Sequence, residues 1–266
     1  MTIFLVTGAT GNLGGAIVRS LRERVPTADI RVLVRSVVQG EKFAGDGLSA
    51  RVADYSNRTS LDSAFSGIDT AVFVSSPVLD NVVRASQHRA VIESAVAAGV
   101  SHIVYTSAMG APHDPGHSAA EAALVESGLS HTILRNALYT DPFLSKALAE
   151  ARTGFITSAS GGRPIVTASI ADLTEAAARA ATDPPEKSLW ELRGPAWTFT
   201  EAAEVLSSVL GRQVQSDEVV DDETGAFRML YPLIRRGVFS DETADLGELL
   251  GRDPQGIESV ARQLLL

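Results

Sequence analysis

The chain contains no cysteine, which excludes disulfides, thiolate zinc sites and cysteine nucleophiles together. No apolar run approaches the roughly 18 residues that a membrane span requires, so an ordinary water-exposed domain is expected. The first residues enter an apolar strand with neither a basic stretch nor a small-residue cleavage site, so no secretion signal is read and a cytoplasmic location is the default expectation. Basic runs are also missing beyond Arg235 and Arg236, and a formal charge of −9 repels phosphate backbones. Nucleic acid is therefore not an expected ligand. Neither an internal repeat nor a low-complexity tract occurs.

What is present fits an α/β protein: 266 residues, 45% hydrophobic and 21% charged, are enough for one large domain with a small cap and too few for two complete enzyme domains. Short β-branched apolar runs alternate with amphipathic or Ala-rich segments through the first half. Strands are predicted near residues 3–7, 30–35, 50–53, 70–75, 102–106 and 131–135. Between the fourth and fifth, Val82, Val83, Ala90, Val91, Ala95 and Ala98 mark a long helix that Gly99 can end. Right-handed crossovers then imply a doubly wound parallel sheet of Rossmann type. After Arg135 the pattern changes to helices near 142–151, 170–181 and 200–210, broken by clusters such as Ser160-Gly161-Gly162-Arg163-Pro164. The expected division is a dinucleotide-binding domain over residues 1–153 and a smaller substrate-side lobe over 154–266 that can return strands to the main sheet. Thr200 is a candidate cap, and Asp172 can cap or begin the helix before it.

Directly after the first strand stands Thr7-Gly8-Ala9-Thr10-Gly11-Asn12-Leu13-Gly14-Gly15, followed by a helix with Leu13, Ile17, Val18 and Leu21 on its inward face. Gly8 permits a tight turn, Gly11 lets backbone amides approach a pyrophosphate, and Gly14 lets the helix pack closely on the strand. The phosphates would then sit at a positive helix end. A glycine-rich turn alone is weak evidence, but here it has a strand before it and a helix after it. The second strand ends in Val32-Leu33-Val34-Arg35, where NAD-selective proteins place an acidic residue. Arg35 suits the 2′-phosphate of NADPH instead; the alternative is a solvated surface charge. Asp54 and Tyr55 after the third strand, and Ser75, Ser76 and Pro77 after the fourth, lie at carboxyl ends of strands where such a sheet binds its ligand. Turn preference alone would also put Asp and Ser there.

Together these segments resemble the NmrA-like group of atypical short-chain dehydrogenase/reductases, most closely the NADPH-dependent quinone oxidoreductases and triphenylmethane reductases. The resemblance spans nearly the whole chain. It is carried by TGATGNLGG from Thr7, VLVR ending at Arg35, ADYSN from Ala53, QHR from Gln87, AAGV from Ala97 and YTS from Tyr105. Further on it is carried by ESGLSHTILRN ending at Asn136, WELRG from Trp190 and GVFSDET from Gly237. It implies NADPH in the crevice and a substrate beside the carboxyl-terminal lobe. Because the group includes reductases, isomerase-like enzymes and silent regulators, fold transfers better than activity.

The Tyr/Lys pair of typical short-chain dehydrogenases is missing. By the resemblance, His117 falls where isoflavone-reductase-like proteins carry their lysine and His113 at the tyrosine position. Quinone-reductase relatives share the histidine but follow it with Glu-Lys, where this chain has Glu121-Ala122. Hydride addition to a ketone makes an alkoxide, whose conjugate acid is about as weak as water at roughly 15.7. A quinone yields a phenolate-like anion of pKa nearer 10, so it needs less help. Solvent or a hydrogen-bond donor can then supply the proton.

Site candidates are Ser107 at the end of the fifth strand, His117 at the next helix start, and Asn136 and Tyr139 after the sixth. Asn136 can meet the nicotinamide carboxamide. Tyr139 can stack on an aromatic acceptor or belong to the core, and His117 can equally be a helix-start histidine facing water. Pro115 and Gly116 argue against a regular helix carrying His113 and His117 as metal ligands. No GxSxG elbow surrounds Ser107, so a hydrolase is rejected. The sequence thus predicts an NADPH-dependent oxidoreductase acting on a quinone or similar conjugated acceptor. A dinucleotide-sensing regulator without turnover is the alternative, and an imine, dye or enone reductase a third possibility. Acceptor-pocket shape depends on Phe143, Phe155 and Phe239, and a homodimer remains an open assembly state.

Overall fold

The predicted alternation is realised as a run of βα units in a computed structural model of the chain, which describes residues 1–220 and 227–266. In order these are β1 (Phe4–Val6), α1 (Asn12–Arg22), β2 (Ile30–Val34), α2 (Val37–Ala44), β3 (Ser49–Val52) and α3 (Arg58–Phe65). They continue as β4 (Thr70–Val74), α4 (Asn81–Ala97), β5 (His102–Ala108), α5 (Pro115–Ser127) and β6 (His131–Asn136). The remainder is β7 (Leu138–Tyr139), α6 (Thr140–Glu150), β8 (Phe155–Ser158), β9 (Ile165–Ala168), α7 (Ile170–Thr182) and β10 (Leu189–Leu192). Last come β11 (Ala196–Trp197), α8 (Phe199–Leu210), β12 (Gln215–Glu218), α9 (Tyr231–Arg235), α10 (Asp245–Leu250) and α11 (Ile257–Gln263).

Seven strands form one sheet in the order β10-β6-β5-β4-β1-β2-β3. The pairings of β1 with β2 and β4, of β2 with β3, and of β5 with β4 and β6 are parallel. Such a sheet is covered on both faces, which is why Phe4–Val6 and Thr70–Phe73 read as continuous apolar or compact runs without alternation. Its core gathers Leu5, Phe65, Phe73, Ile103, Tyr105 and Leu124, with Val91, Ile92 and Ala95 of α4. Strand order reverses between β1 and β4, and a doubly wound sheet opens its ligand crevice at that point.

Internal contacts group Met1–Asn136 with Leu173–Glu191, and Ala137–Asp172 with Leu192–Leu266. This differs from a single boundary between residues 153 and 154. The chain leaves the first unit at the end of β6 and comes back through α7 to lay β10 against β6, where the Ile133 N–H donates to the Ser188 carbonyl at 2.7 Å. In the second unit β11, β9 and β7 form a three-stranded sheet, and β12 pairs in parallel with β8.

Several local expectations are also corrected. Val82 and Val83 do not belong to the buried stripe of α4: they are exposed, and the inward face is His88, Val91, Ile92 and Ala95. The first turn of α4 is instead capped by Asp80, whose carboxylate accepts from the N–H groups of Val82 and Val83. Helix α8 is capped by Thr198, two residues before the expected Thr200, in a reciprocal capping box with Glu201. Asp172 does not cap α7 but lies in its first turn. Ser169 Oγ accepts the Asp172 N–H, while the buried Asp172 carboxylate takes 2.7 Å hydrogen bonds from Arg252 and from the Gln255 N–H. Pro115 does not interrupt a helix but begins one, because N1 is the position whose N–H has no intrahelical partner.

Candidate active site

The glycine turn has the geometry that a pyrophosphate requires. Gly8 adopts φ +60°, Gly11 N–H closes the turn on the Gly8 carbonyl at 2.9 Å, and a methyl group at Gly14 would overlap that same carbonyl. Gly11 is the N-cap of α1 and has no side chain to cap it, and the first turn carries no acidic residue. The first N–H groups of α1, including those of Asn12, Leu13 and Gly14, are thus left for an external acceptor. Thr10, Gly11 and Asn12 are exposed, whereas the Leu13 side chain is in the core.

A groove of about 690 Å³ runs from this turn. Thr10, Gly11 and Asn12 line one end, and Arg35, Lys42, Arg19 and Arg22 bring cationic side chains to it. Arg22 lies 3.7 Å from Asp46, while Arg35 and Lys42 have no ion-pair partner among the described residues. The Arg35 N–H is held by Gln39 Oε1 at 2.9 Å, and Ser36 caps α2 by accepting from the Gln39 N–H, so backbone and helix start fix where the guanidinium emerges. Arg35 is the candidate that the end of β2 offered, and it lines this groove. Lys42 was not singled out, because only the packing of α2 beside β3 brings its face into the same groove.

The other expected cofactor contacts sort by what already holds them. Asp54 is exposed, and its carboxylate accepts the Ser56 N–H at 2.7 Å, which leaves one oxygen for a ligand. Tyr55 turns inward instead: its hydroxyl bonds Thr7 Oγ1 and donates toward the Val74 carbonyl at 2.9 Å, and burial pushes its pKa up. It braces the ends of β1 and β4. The Ser75 N–H donates to Thr106 Oγ1 at 3.2 Å; Ser76 is buried, and its hydroxyl donates to Gln87 at 2.6 Å; Pro77 is exposed. Asn136, at the carboxyl end of β6, has a buried side-chain oxygen with no hydrogen-bond partner among the described residues. A buried acceptor left open is costly, and an amide N–H₂ group of a ligand would satisfy it.

Ser107 and His117 are not joined to each other. The Ser107 hydroxyl donates to Glu121 at 2.6 Å, and Glu121 is clamped by Arg135 at 2.6 and 3.0 Å; Arg135 also holds Glu191 at 2.9 Å. Both carboxylates raise the Arg135 pKa. The Ser107 proton is therefore committed to a structural network. His117 is buried, not facing water, and its Nδ1 lies 2.7 Å from the Tyr105 hydroxyl. Tyr105 in turn lies 3.3 Å from Nδ1 of His88, whose Nε2 accepts the Ser76 N–H at 2.9 Å. Burial first, then the neighbouring His117, pushes His88 down to about 4, and burial lowers His117 in the same direction. His113 is exposed at the end of a short 3₁₀ turn. Neither Tyr105 nor His88 was singled out from sequence, although both stand inside the YTS and QHR motifs.

Tyr139 belongs to the second unit, half-buried at the N-cap of α6. Behind it Phe143 stacks on Phe227 with centroids 4.1 Å apart and meets Trp197 edge-on. Phe239 is buried, whereas Phe155 is half exposed on β8. Of the three phenylalanines expected to shape an acceptor pocket, Phe143 is thus a core residue of its unit.

A parallel sheet in this order with an uncapped glycine turn after β1 defines a Rossmann-type dinucleotide-binding protein. The NAD(P)H-binding family matches residues 8–184, and the chain belongs to that family. It is 38% identical over 216 residues to quinone oxidoreductase 2 of Escherichia coli, covering 79% of this chain and 75% of that protein. Triphenylmethane reductase of Citrobacter sp. superposes with a TM-score of 0.92 at 32% identity, over 100% of this chain and 99% of that one. The NADPH complex of E. coli quinone oxidoreductase 2 does so at 0.87 and 31% identity, over 99% and 100%. The chain is an NAD(P)H-dependent oxidoreductase of the NmrA-like type, as the motifs implied. No helix among the described residues is long and apolar enough to cross a membrane.

Proposed function

We propose that the chain uses NADPH to reduce a quinone or a similar conjugated small molecule. The observation that carries this reading is the groove in which an uncapped glycine turn and two unpaired cations, Arg35 and Lys42, meet without a carboxylate at the end of β2. The named activity of quinone oxidoreductase 2, at 38% identity, supports the acceptor class.

When bound, NADPH supplies the hydride. The chain's own residues do the rest. Backbone N–H groups of the turn hold the pyrophosphate, and Arg35 with Lys42 holds the 2′-phosphate. Asn136 Oδ1, buried without a partner among the described residues, would accept from the carboxamide. The acceptor leaves the reaction as a phenolate-like anion of pKa near 10, which water can protonate, so no strong acid is required of the protein. Its contribution is orientation and a polar environment for the developing oxyanion. Tyr139 is assigned to the acceptor side of this reading, and Ser107 to support of the site through Glu121. A cytoplasmic location and a homodimer belong to the same reading, to be tested by fractionation and light scattering.

Anaerobic mixing of protein, NADPH and a panel of quinones tests it. Oxidation at 340 nm above the uncatalysed rate is expected with at least one quinone, and a flat trace with every acceptor would remove the assignment. The sensing-regulator reading has no observation in its favour.

A further inference from the structure

Beneath the carboxyl ends of β4 and β5 lies a chain of hydrogen bonds whose direction is set at one end. A backbone amide can only donate, so the Ser76 N–H, 2.9 Å from His88 Nε2, requires that nitrogen to be unprotonated. His88 is neutral above about pH 4, so its proton sits on Nδ1, facing the Tyr105 oxygen at 3.3 Å. Tyr105 then receives at its oxygen and is free to give its own proton to His117 Nδ1, 2.7 Å away. Burial raises the Tyr105 pKa, which keeps that proton on the ring hydroxyl. The consequence for His117 follows: Nδ1 is an acceptor, and the ring's single proton is on Nε2.

We propose that His117 is a neutral hydrogen-bond donor, held in its Nε2–H form by Ser76, His88 and Tyr105, and that Nε2–H stabilises the oxyanion that develops on the acceptor. Rather than a proton donor, it is an electrophile of fixed tautomer, and His88 and Tyr105 are positioning residues. The inference rests on the proposed quinone reduction and names the group that meets the acceptor. Nε2 makes no hydrogen bond among the described residues, and His117 stands at the third position of α5, the helix that follows the carboxyl end of β5.

The backbone supports the same assignment. The Asp114 carboxylate caps α5 by accepting the N–H groups of Gly116 and His117, and Arg84 grips Asp114 at 2.5 and 2.7 Å. The histidine is thereby pinned at its main chain as well as at Nδ1. The charges that bear on the pair nearly oppose one another: Arg84 from α4 disfavours protonation of both rings, Asp114 favours it in both, and Glu121 of α5 favours it in His117. The Gly116 carbonyl favours a protonated His88. Phe73 packs edge-on against His88 at 5.3 Å and adds no charge. Burial decides the sum, and a second proton on either ring would break a bond of the chain.

The step balances without a protein acid. Acceptor, NADPH and one proton give reduced acceptor and NADP⁺; the hydride carries both electrons, and water delivers the proton to an oxygen that Nε2–H already holds. Neutral imidazole serves as an electrophile in this way elsewhere in enzymology.

Long-range ¹H–¹⁵N spectra of the imidazoles in the full-length protein, without and with NADP⁺, test the assignment directly. The expected result is His117 as the Nε2–H form and His88 as the Nδ1–H form at pH 7, with His88 unchanged from pH 5.5 to 8. Tyr105→Phe keeps the ring but removes the donor, so a mixture of His117 forms should appear, with kcat falling about 10-fold and KM for NADPH unchanged. His117→Ala should lose about 100-fold in kcat, near the effect of deleting one oxyanion donor, and His117→Gln, which keeps a neutral N–H, should recover part of it. A His117 that carries its proton on Nδ1, or is cationic at pH 7, overturns the proposal. So does a His117→Gln protein as slow as His117→Ala. If instead no quinone is reduced while the spectra come out as expected, the quinone reading fails and the tautomer assignment survives.

Discussion

Removing the guanidinium of Arg35 separates a cofactor anchor from a surface charge. The side chain is exposed at the end of β2 and lines the groove with Lys42. A charge-assisted hydrogen bond is worth about 1.5–3 kcal/mol, and solvent at this site argues for the lower part of that range. About 2 kcal/mol corresponds to roughly a 30-fold change in Kd. Arg35→Ala is therefore expected to weaken NADPH by about 10- to 50-fold while NADH, with a ribose hydroxyl in place of the phosphate, changes by less than about 3-fold. Lys42→Ala should act in the same direction but less, since an ammonium offers a point charge without the paired donors of a guanidinium.

Nucleotide fluorescence titrations on dialysed protein, repeated at low and high salt, measure both constants. The NADPH advantage should shrink as salt rises, because the Debye length falls from about 10 Å at 0.1 M to about 3 Å at 1 M. Equal losses for NADPH and NADH would refute the reasoning, since they would mean that the variant damaged the turn and not the phosphate contact. No loss for either would make Arg35 the solvated charge that its exposure also allows.

Three further outcomes follow from the geometry. Gly14→Ala should abolish measurable nucleotide binding and lower Tm, because its methyl group meets the Gly8 carbonyl, whereas Gly11→Ala, with 3.3 Å of room, should fold and bind weakly; calorimetry with and without NADPH distinguishes them. Glu121→Gln removes one of the two carboxylates that hold Arg135 between β6 and α5, and losing a charge-assisted hydrogen bond of about 1.5–3 kcal/mol should lower the urea midpoint. His102, whose ring nitrogens contact Ser130 and Thr132, is pushed down to about 4 by burial and by the neighbouring His131. Its folded pKa lies below the unfolded value near 6.5, so the unfolded chain binds the extra proton between these values. Stability should fall as pH drops from 6.5 toward 4, and His102→Gln should flatten the upper part of that fall.

All six strands predicted from the first half of the sequence are present, as is the helix after the glycine turn, and the reason is local. Strands buried on both faces need continuous apolar runs, and Leu13, Ile17, Val18 and Leu21 repeat at helical spacing. The errors arose where a residue's neighbours lie far off in sequence. Val82 and Val83 have the composition of a buried face, but Asp80 caps α4 so that its second and third residues point outward. The boundary after residue 153 rests on a change of pattern, whereas the contact grouping depends on the pairing of β6 with β10, and the Ser188 carbonyl that receives the Ile133 N–H lies 55 positions from it, beyond any periodicity.

The site divides along the same line. Gly8, Gly11, Gly14 and Arg35 are site candidates by backbone conformation and strand ends, which a strand–turn–helix pattern specifies by itself. His117 was visible as a residue type at a helix start, yet what it can do is decided by Tyr105, 12 positions before it, and His88, 17 before that. Tyr105 reaches His117 because its strand position shares a sheet face with Ser107, and that face is the one α5 covers through Glu121. His88 reaches Tyr105 because α4 packs beside α5. A histidine's protonation form is a property of its contacts, so no reading of spacing could have assigned the proton on His117. A chain without the Tyr/Lys pair thus still buries a tyrosine hydroxyl 2.7 Å from a histidine ring nitrogen, a contact that fixes the imidazole rather than exposing the phenol.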